Sequence, residues 1–125
     1  MIEARSTPPW AQAVILLKRL AQPLYERAQR SPVDSRAAEE SFEMWYAVRA
    51  MAGGIETSRV LRLNEQNRAD LKAAVELIHQ IAHRGSIAVP PSLLVCECEP
   101  AQIVRELVPL LASAGIDVEA QSYAA

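Results

Sequence analysis

The most regular hydrophobic spacing in the chain comes near its beginning. Trp10, Val14, Leu17, Ala21, Leu24 and Ala28 recur at steps of four and three, with Gln12, Arg19, Gln22, Glu26 and Arg30 opposite them. This is the period of an amphipathic helix. Thr7-Pro8-Pro9 supplies a start, with Thr7 able to cap and proline tolerated in a first turn whose N–H groups lack partners anyway. Ala13, Leu16 and Leu20 flank the main stripe and widen the apolar arc. Pro23 removes the hydrogen bond to the Arg19 carbonyl, which predicts a bend.

A second start signal, Ser31-Pro32-Val33-Asp34, precedes a stretch with Ala38, Phe42, Trp45, Val48 and Ala52 on one side. Arg36, Glu39, Glu40 and Glu43 occupy the other, and Gly53-Gly54 predicts the stop. Two such helices joined by a short connection make an antiparallel hairpin over 1–54. A third helix is expected over 64–84, burying Leu71, Ala74, Val75, Ile78 and Ala82, with Gly85 as its stop. Residues 57–63 read equally as a short strand or an early helical turn.

The apolar and β-branched content of Leu93-Leu94-Val95-Cys96-Glu97-Cys98-Glu99 predicts a strand. Pro100 opens a helical run through Ile103, Val104, Leu107, Leu110 and Leu111, bent at Pro109 and closed by Gly115, and Ile116-Asp117-Val118-Glu119 alternates like a second strand. The expected fold is therefore α+β in a single domain, 1–125. An N-terminal antiparallel helical hairpin (1–54) packs on a small C-terminal α/β element (55–125), read as strand-helix-strand, or β-α-β-α-β if 57–63 is also a strand. The turn Cys98-Glu99-Pro100-Ala101-Gln102 has no glycine and carries an acid, which is the opposite of a phosphate cradle.

Composition narrows the class further. The chain has 125 residues, half of them hydrophobic and 22% charged, the balance of a globular domain large enough to bury a core. A formal charge of −2 gives no overall attraction to nucleic acid or to an anionic membrane. The charge is uneven: from residue 93 onward five acids oppose the single base Arg105. No apolar run approaches the roughly 18 residues of a membrane span, and the polar residues 1–7 do not resemble a secretory signal. Two cysteines too close to pair, together with an arginine- and alanine-rich composition, suggest a cytoplasmic protein from a GC-rich bacterium.

His79 and His83, at i and i+4, share a helix face, and Cys96 and Cys98, at i and i+2, share a strand face. A tetrahedral Cys2His2 zinc site is conceivable from these four, but zinc-ligating cysteines normally have two to four residues between them and sit on a knuckle rather than a strand. The simpler reading places Lys72, Glu76, His79 and His83 on a solvated stripe, with both cysteines facing the core. A thiol–imidazole nucleophile drawn from the same residues lacks an electropositive pocket to activate the thiol. No metal, cofactor, catalytic residue or small-molecule substrate is expected.

Arg59, Arg62 and Arg68, interleaved with Asn64, Gln66 and Asn67, are suited to phosphates and base edges, although Glu65 and Asp70 interrupt them. Trp10 and Trp45 read as a packing pair, or alternatively as an aromatic interface. The apolar arc of the first helix, including Leu16 and Leu20, looks too broad for one hairpin and one small sheet to cover. The expected function is thus a non-catalytic cytoplasmic protein-interaction module, an adaptor, assembly factor or regulator that forms a homodimer. The alternative is a nucleic-acid-associated regulator using the segment 59–68.

Overall fold

The computed structural model describes residues 7–83, 93 and 95–116. Four helices account for 78% of them: α1 (Pro9–Arg30), α2 (Arg36–Ser58), α3 (Glu65–Ala82) and α4 (Glu99–Ser113). No strand occurs among the described residues, so the α+β expectation is replaced by an all-helical fold. Among the described residues, no helix is long and apolar enough to cross a membrane.

The predicted strand at 93–99 fails for an identifiable reason. A strand needs a neighbour to take its backbone hydrogen bonds. Here side chains of α4 take that part: Arg105 Nη1 donates to the carbonyls of both Leu93 and Cys96 at 2.7 Å, and Gln102 Nε2 donates to the Glu97 carbonyl at 2.8 Å. Leu93 and Val95 lie in a turn, and residues 96–98 lead irregularly into α4. Of the second predicted strand, Ile116 is buried but not extended in a ladder, and residues 117–119 lie outside the described residues, as does Gly85. The ambiguous segment 57–63 divides between the last turn of α2, its left-handed cap Arg59 (φ 58°) and an irregular connector anchored by buried Leu63.

Helix starts follow side-chain capping chemistry. Asn64 caps α3 with a reciprocal capping box to Asn67. The cap of α2 is Ser35, whose hydroxyl accepts from the Ala38 N–H at 3.1 Å. Ser31, the expected cap, instead ends α1, its N–H bonded to the Arg27 carbonyl. Similarly, α1 is entered through Pro8 rather than a Thr7 cap, with proline at the first helical position. Gly53-Gly54 does not stop α2, which continues to Ser58. Glycine costs only about 1 kcal/mol in a helix interior, and the extra turn buries Ile55.

Helices α1 and α2 run antiparallel, as their cross-contacts show. Lys18 pairs with Glu56 at 3.4 Å, Tyr25 packs on Trp45, and Arg27 donates to Ser41 Oγ at 2.7 Å. Contacts from α2, α3 and α4 all fall on α1, burying Ala13, Val14, Leu16, Leu17, Leu20, Ala21 and Leu24. The broad arc that suggested an uncovered surface is therefore covered within the chain. Arg19 of α1 and Glu99 of α4, 3.2 Å apart, mark the edge of that packing.

Two stability outcomes follow. Leu20→Ala is expected to destabilise the fold by roughly 2–5 kcal/mol, the range for truncating a buried leucine, read as a lowered urea midpoint. An unchanged midpoint would contradict its burial. Gly54→Ala places a methyl where nothing lies within 4 Å and should stabilise by roughly 0.5–1 kcal/mol, read in the same titration.

Candidate functional site

The sequence-derived interaction residues separate into three groups. Leu16 and Leu20 belong to the core and present no surface. Trp10 is half-buried against the core at the start of α1, and it does not pair with Trp45. Arg59 caps α2, Arg62 lies in the connector and Arg68 sits in the first turns of α3. None of these arginines pairs with an acid among the described residues.

Trp45 lies instead in an aromatic row. Its ring centroid is 5.2 Å from Tyr25 and 5.4 Å from Phe42, and the Arg49 guanidinium lies 5.7 Å over its face. Phe42 forms the exposed end of this row, beside half-buried Trp45 and Tyr25, because α2 is rotated relative to its apolar pattern. Ser41, Val48, Met51, Ala52 and Ile55 face the core, and Phe42 is turned outward. Small Ser41 fits there because Arg27 reaches across to it and to Glu40. Phe42 is 51% exposed and Tyr46, one helical turn on, is 67% exposed. Glu39 and Arg49 are exposed on either side of them. Sequence reasoning missed this face by assigning Phe42 to the buried stripe. The available signal was the arrangement acid, aromatic, aromatic, base at positions 39, 42, 46 and 49.

A second grouping joins the ends of two helices. His79 and His83 lie at the C-terminal end of α3, and Cys96 and Cys98 lie on the bend entering α4, with Cys98 as its N-cap. One donor atom from each falls within 4.8 Å of every other. His83 Nε2 is 3.2 Å from Cys96 Sγ, Cys96 Sγ is 3.3 Å from Cys98 Sγ, and the two imidazoles meet edge to face with centroids 4.7 Å apart. The expected solvated stripe does not include His79. Lys72 and Glu76 are exposed, whereas His79 is only 4% exposed and its Nε2 has no hydrogen-bond partner. Cys96 is buried as expected, while Cys98 and His83 are half-buried at the rim.

The environment favours the neutral forms of two members. Burial, with a smaller contribution from His83, lowers the His79 pKa, and burial raises that of the Cys98 thiol. Without a cation the group therefore lacks the stabilised thiolate a nucleophilic cysteine needs. Soft sulfur and imidazole donors converging on one point are chemically suited to a thiophilic metal ion. Compared with protein-family models, curated proteins and solved structures, the chain matches none.

Proposed function

We propose that the chain is a non-catalytic cytoplasmic interaction module that works as a homodimer through the outer face of α2. One observation carries this reading: the exposed stripe Glu39, Phe42, Tyr46 and Arg49 is complementary to itself. Its steps of three, four and three are symmetric about residue 44. A second α2 laid antiparallel across a two-fold axis there sets Phe42 against the partner's Tyr46, and Glu39 against the partner's Arg49. The same rule sets Ser35 against the partner's Gly53, small residues that let helix ends approach. This is an isologous interface, in which one patch serves both copies.

The patch is also pre-organised. Phe42 rests on Trp45, which rests on Tyr25, so an exposed aromatic ring is held in place before any partner arrives. Ordering such side chains in advance lowers the entropic cost of association, and aromatic residues dominate interface energetics. Glu39 and Arg49 make no ion pair with other described residues, leaving both charges available across the axis.

Light scattering at micromolar concentration is expected to give a mass about twice the 13.7 kDa of one chain. Phe42→Ser should shift it toward the monomer. Glu39→Arg or Arg49→Glu alone disrupts two cross-axis pairs, each worth roughly 0.2–1 kcal/mol, so dimerisation weakens by roughly two- to thirtyfold. The double change Glu39→Arg with Arg49→Glu restores the pairing and should recover affinity. A single-chain mass at every concentration would sink the proposal, and a double variant no better than the singles would reject the antiparallel register.

The exposed Arg59 and Arg62 support the second reading, contact with nucleic acid. The net negative charge opposes it. Anisotropy titrations against duplex and single-stranded DNA and RNA are expected to show nothing tighter than roughly 10⁻⁴ to 10⁻⁶ M at physiological salt, the level of non-specific contact. Nanomolar binding with a steep salt dependence, lost when Arg59, Arg62 and Arg68 are replaced together, would promote that reading over self-association.

A further inference from the structure

We infer that His79, His83, Cys96 and Cys98 bind one zinc ion, which ties the C-terminal end of α3 to the N-terminal end of α4. The inference is independent of self-association, because the four residues lie at the end of α3 and the entry to α4, not on α2.

Donor chemistry and spacing agree with that ion. Zinc takes thiolate at about 2.3 Å and imidazole at about 2.0–2.1 Å, so the donors of a tetrahedral site lie about 3.3–3.8 Å from one another. The contacts of 3.2 Å between His83 and Cys96 and 3.3 Å between the cysteine sulfurs already lie near that separation. Every donor separation in the group is within 4.8 Å, about 1 Å beyond the tetrahedral spacing at most. Four protein donors fill a tetrahedral shell and leave no position for water or substrate, which is the arrangement of a structural rather than a catalytic zinc.

Burial gives independent support. An imidazole 4% exposed with an unpartnered Nε2 is costly in a core, where buried polar atoms are otherwise satisfied. Coordination of the group accounts for a histidine in that place. Only one residue separates the two cysteines, but the segment is irregular rather than a strand and their sulfurs lie 3.3 Å apart. Its irregular backbone turns both sulfurs toward one point. Arg105, bonded to the Leu93 and Cys96 carbonyls, fixes that backbone, and Cys98 stands at the N-cap of α4.

The test uses the full chain, reduced and stripped of metal, then titrated with Zn²⁺ or Co²⁺. One equivalent is expected to bind with an apparent Kd below roughly 10⁻⁷ M, in the range of structural zinc sites. Cobalt should give the intense visible absorption of a four-coordinate site together with thiolate-to-cobalt charge transfer. Zinc at about a hundred times its Kd should raise Tm by at least about 5 °C. His83→Gln and Cys98→Ser, both at the half-buried rim, should keep the helical circular-dichroism spectrum and weaken binding by at least about tenfold, since loss of even an outer-shell partner costs about 10–100-fold. Cys98→Ser should also reduce the charge-transfer intensity, which His83→Gln should leave in place. No uptake by the reduced parent chain, a six-coordinate cobalt spectrum, or binding unchanged by both substitutions would overturn the inference. If a variant fails to fold, the parent chain's cobalt spectrum decides.

Discussion

The apolar arc of α1 is the constraint on which the other elements depend. Ala13, Val14, Leu16, Leu17, Leu20, Ala21 and Leu24 spread over about 160° of the helix circumference at 3.6 residues per turn, more than the roughly 100° stripe of an ordinary surface helix. A single neighbour cannot shield such an arc from water, and burial of apolar surface is the dominant favourable term in folding. The chain therefore places α2, α3 and α4 around α1. That central position sets where the other helices end, and so brings the C-terminal end of α3 close to the start of α4.

The rotation of α2 has its own cause. Val48, Ala52 and Ile55 pack inward, which brings position 41 rather than 42 toward α1 in the preceding turns. Serine is tolerated there because the Arg27 guanidinium satisfies its hydroxyl and remains half-exposed toward Glu40. The displaced Phe42 is left on the outside, stacked on Trp45. One buried polar contact thus converts a pattern resembling a core stripe into an exposed aromatic face.

The bend at 96–98 shows a similar substitution of side chains for backbone partners. Two carbonyls that would enter a sheet ladder accept hydrogen bonds from one guanidinium, and a third accepts from a side-chain amide. The demand that backbone groups be paired is met in either conformation. Which one forms depends on what packs alongside, and a helix carrying Arg105 and Gln102 lies there where a strand would have been required.

Much of the helical organisation was legible in the sequence. The run from Trp10 to Ala28, the start of α3 near Asn64, and the proline start and apolar steps of α4 all express local preferences that survive folding. The glycines of α2 and the β-branched segment at 93–99 were misleading because their propensities, about a kilocalorie per mole, are smaller than the burial they compete with. The candidate site was legible only as ingredients. The spacing of His79 and His83 guarantees a shared helix face, and that of Cys96 and Cys98 leaves their sulfurs near each other. Whether the two pairs meet depends on where α3 ends relative to α4, which no local pattern encodes, and that distance was decided by the packing of both helices around α1.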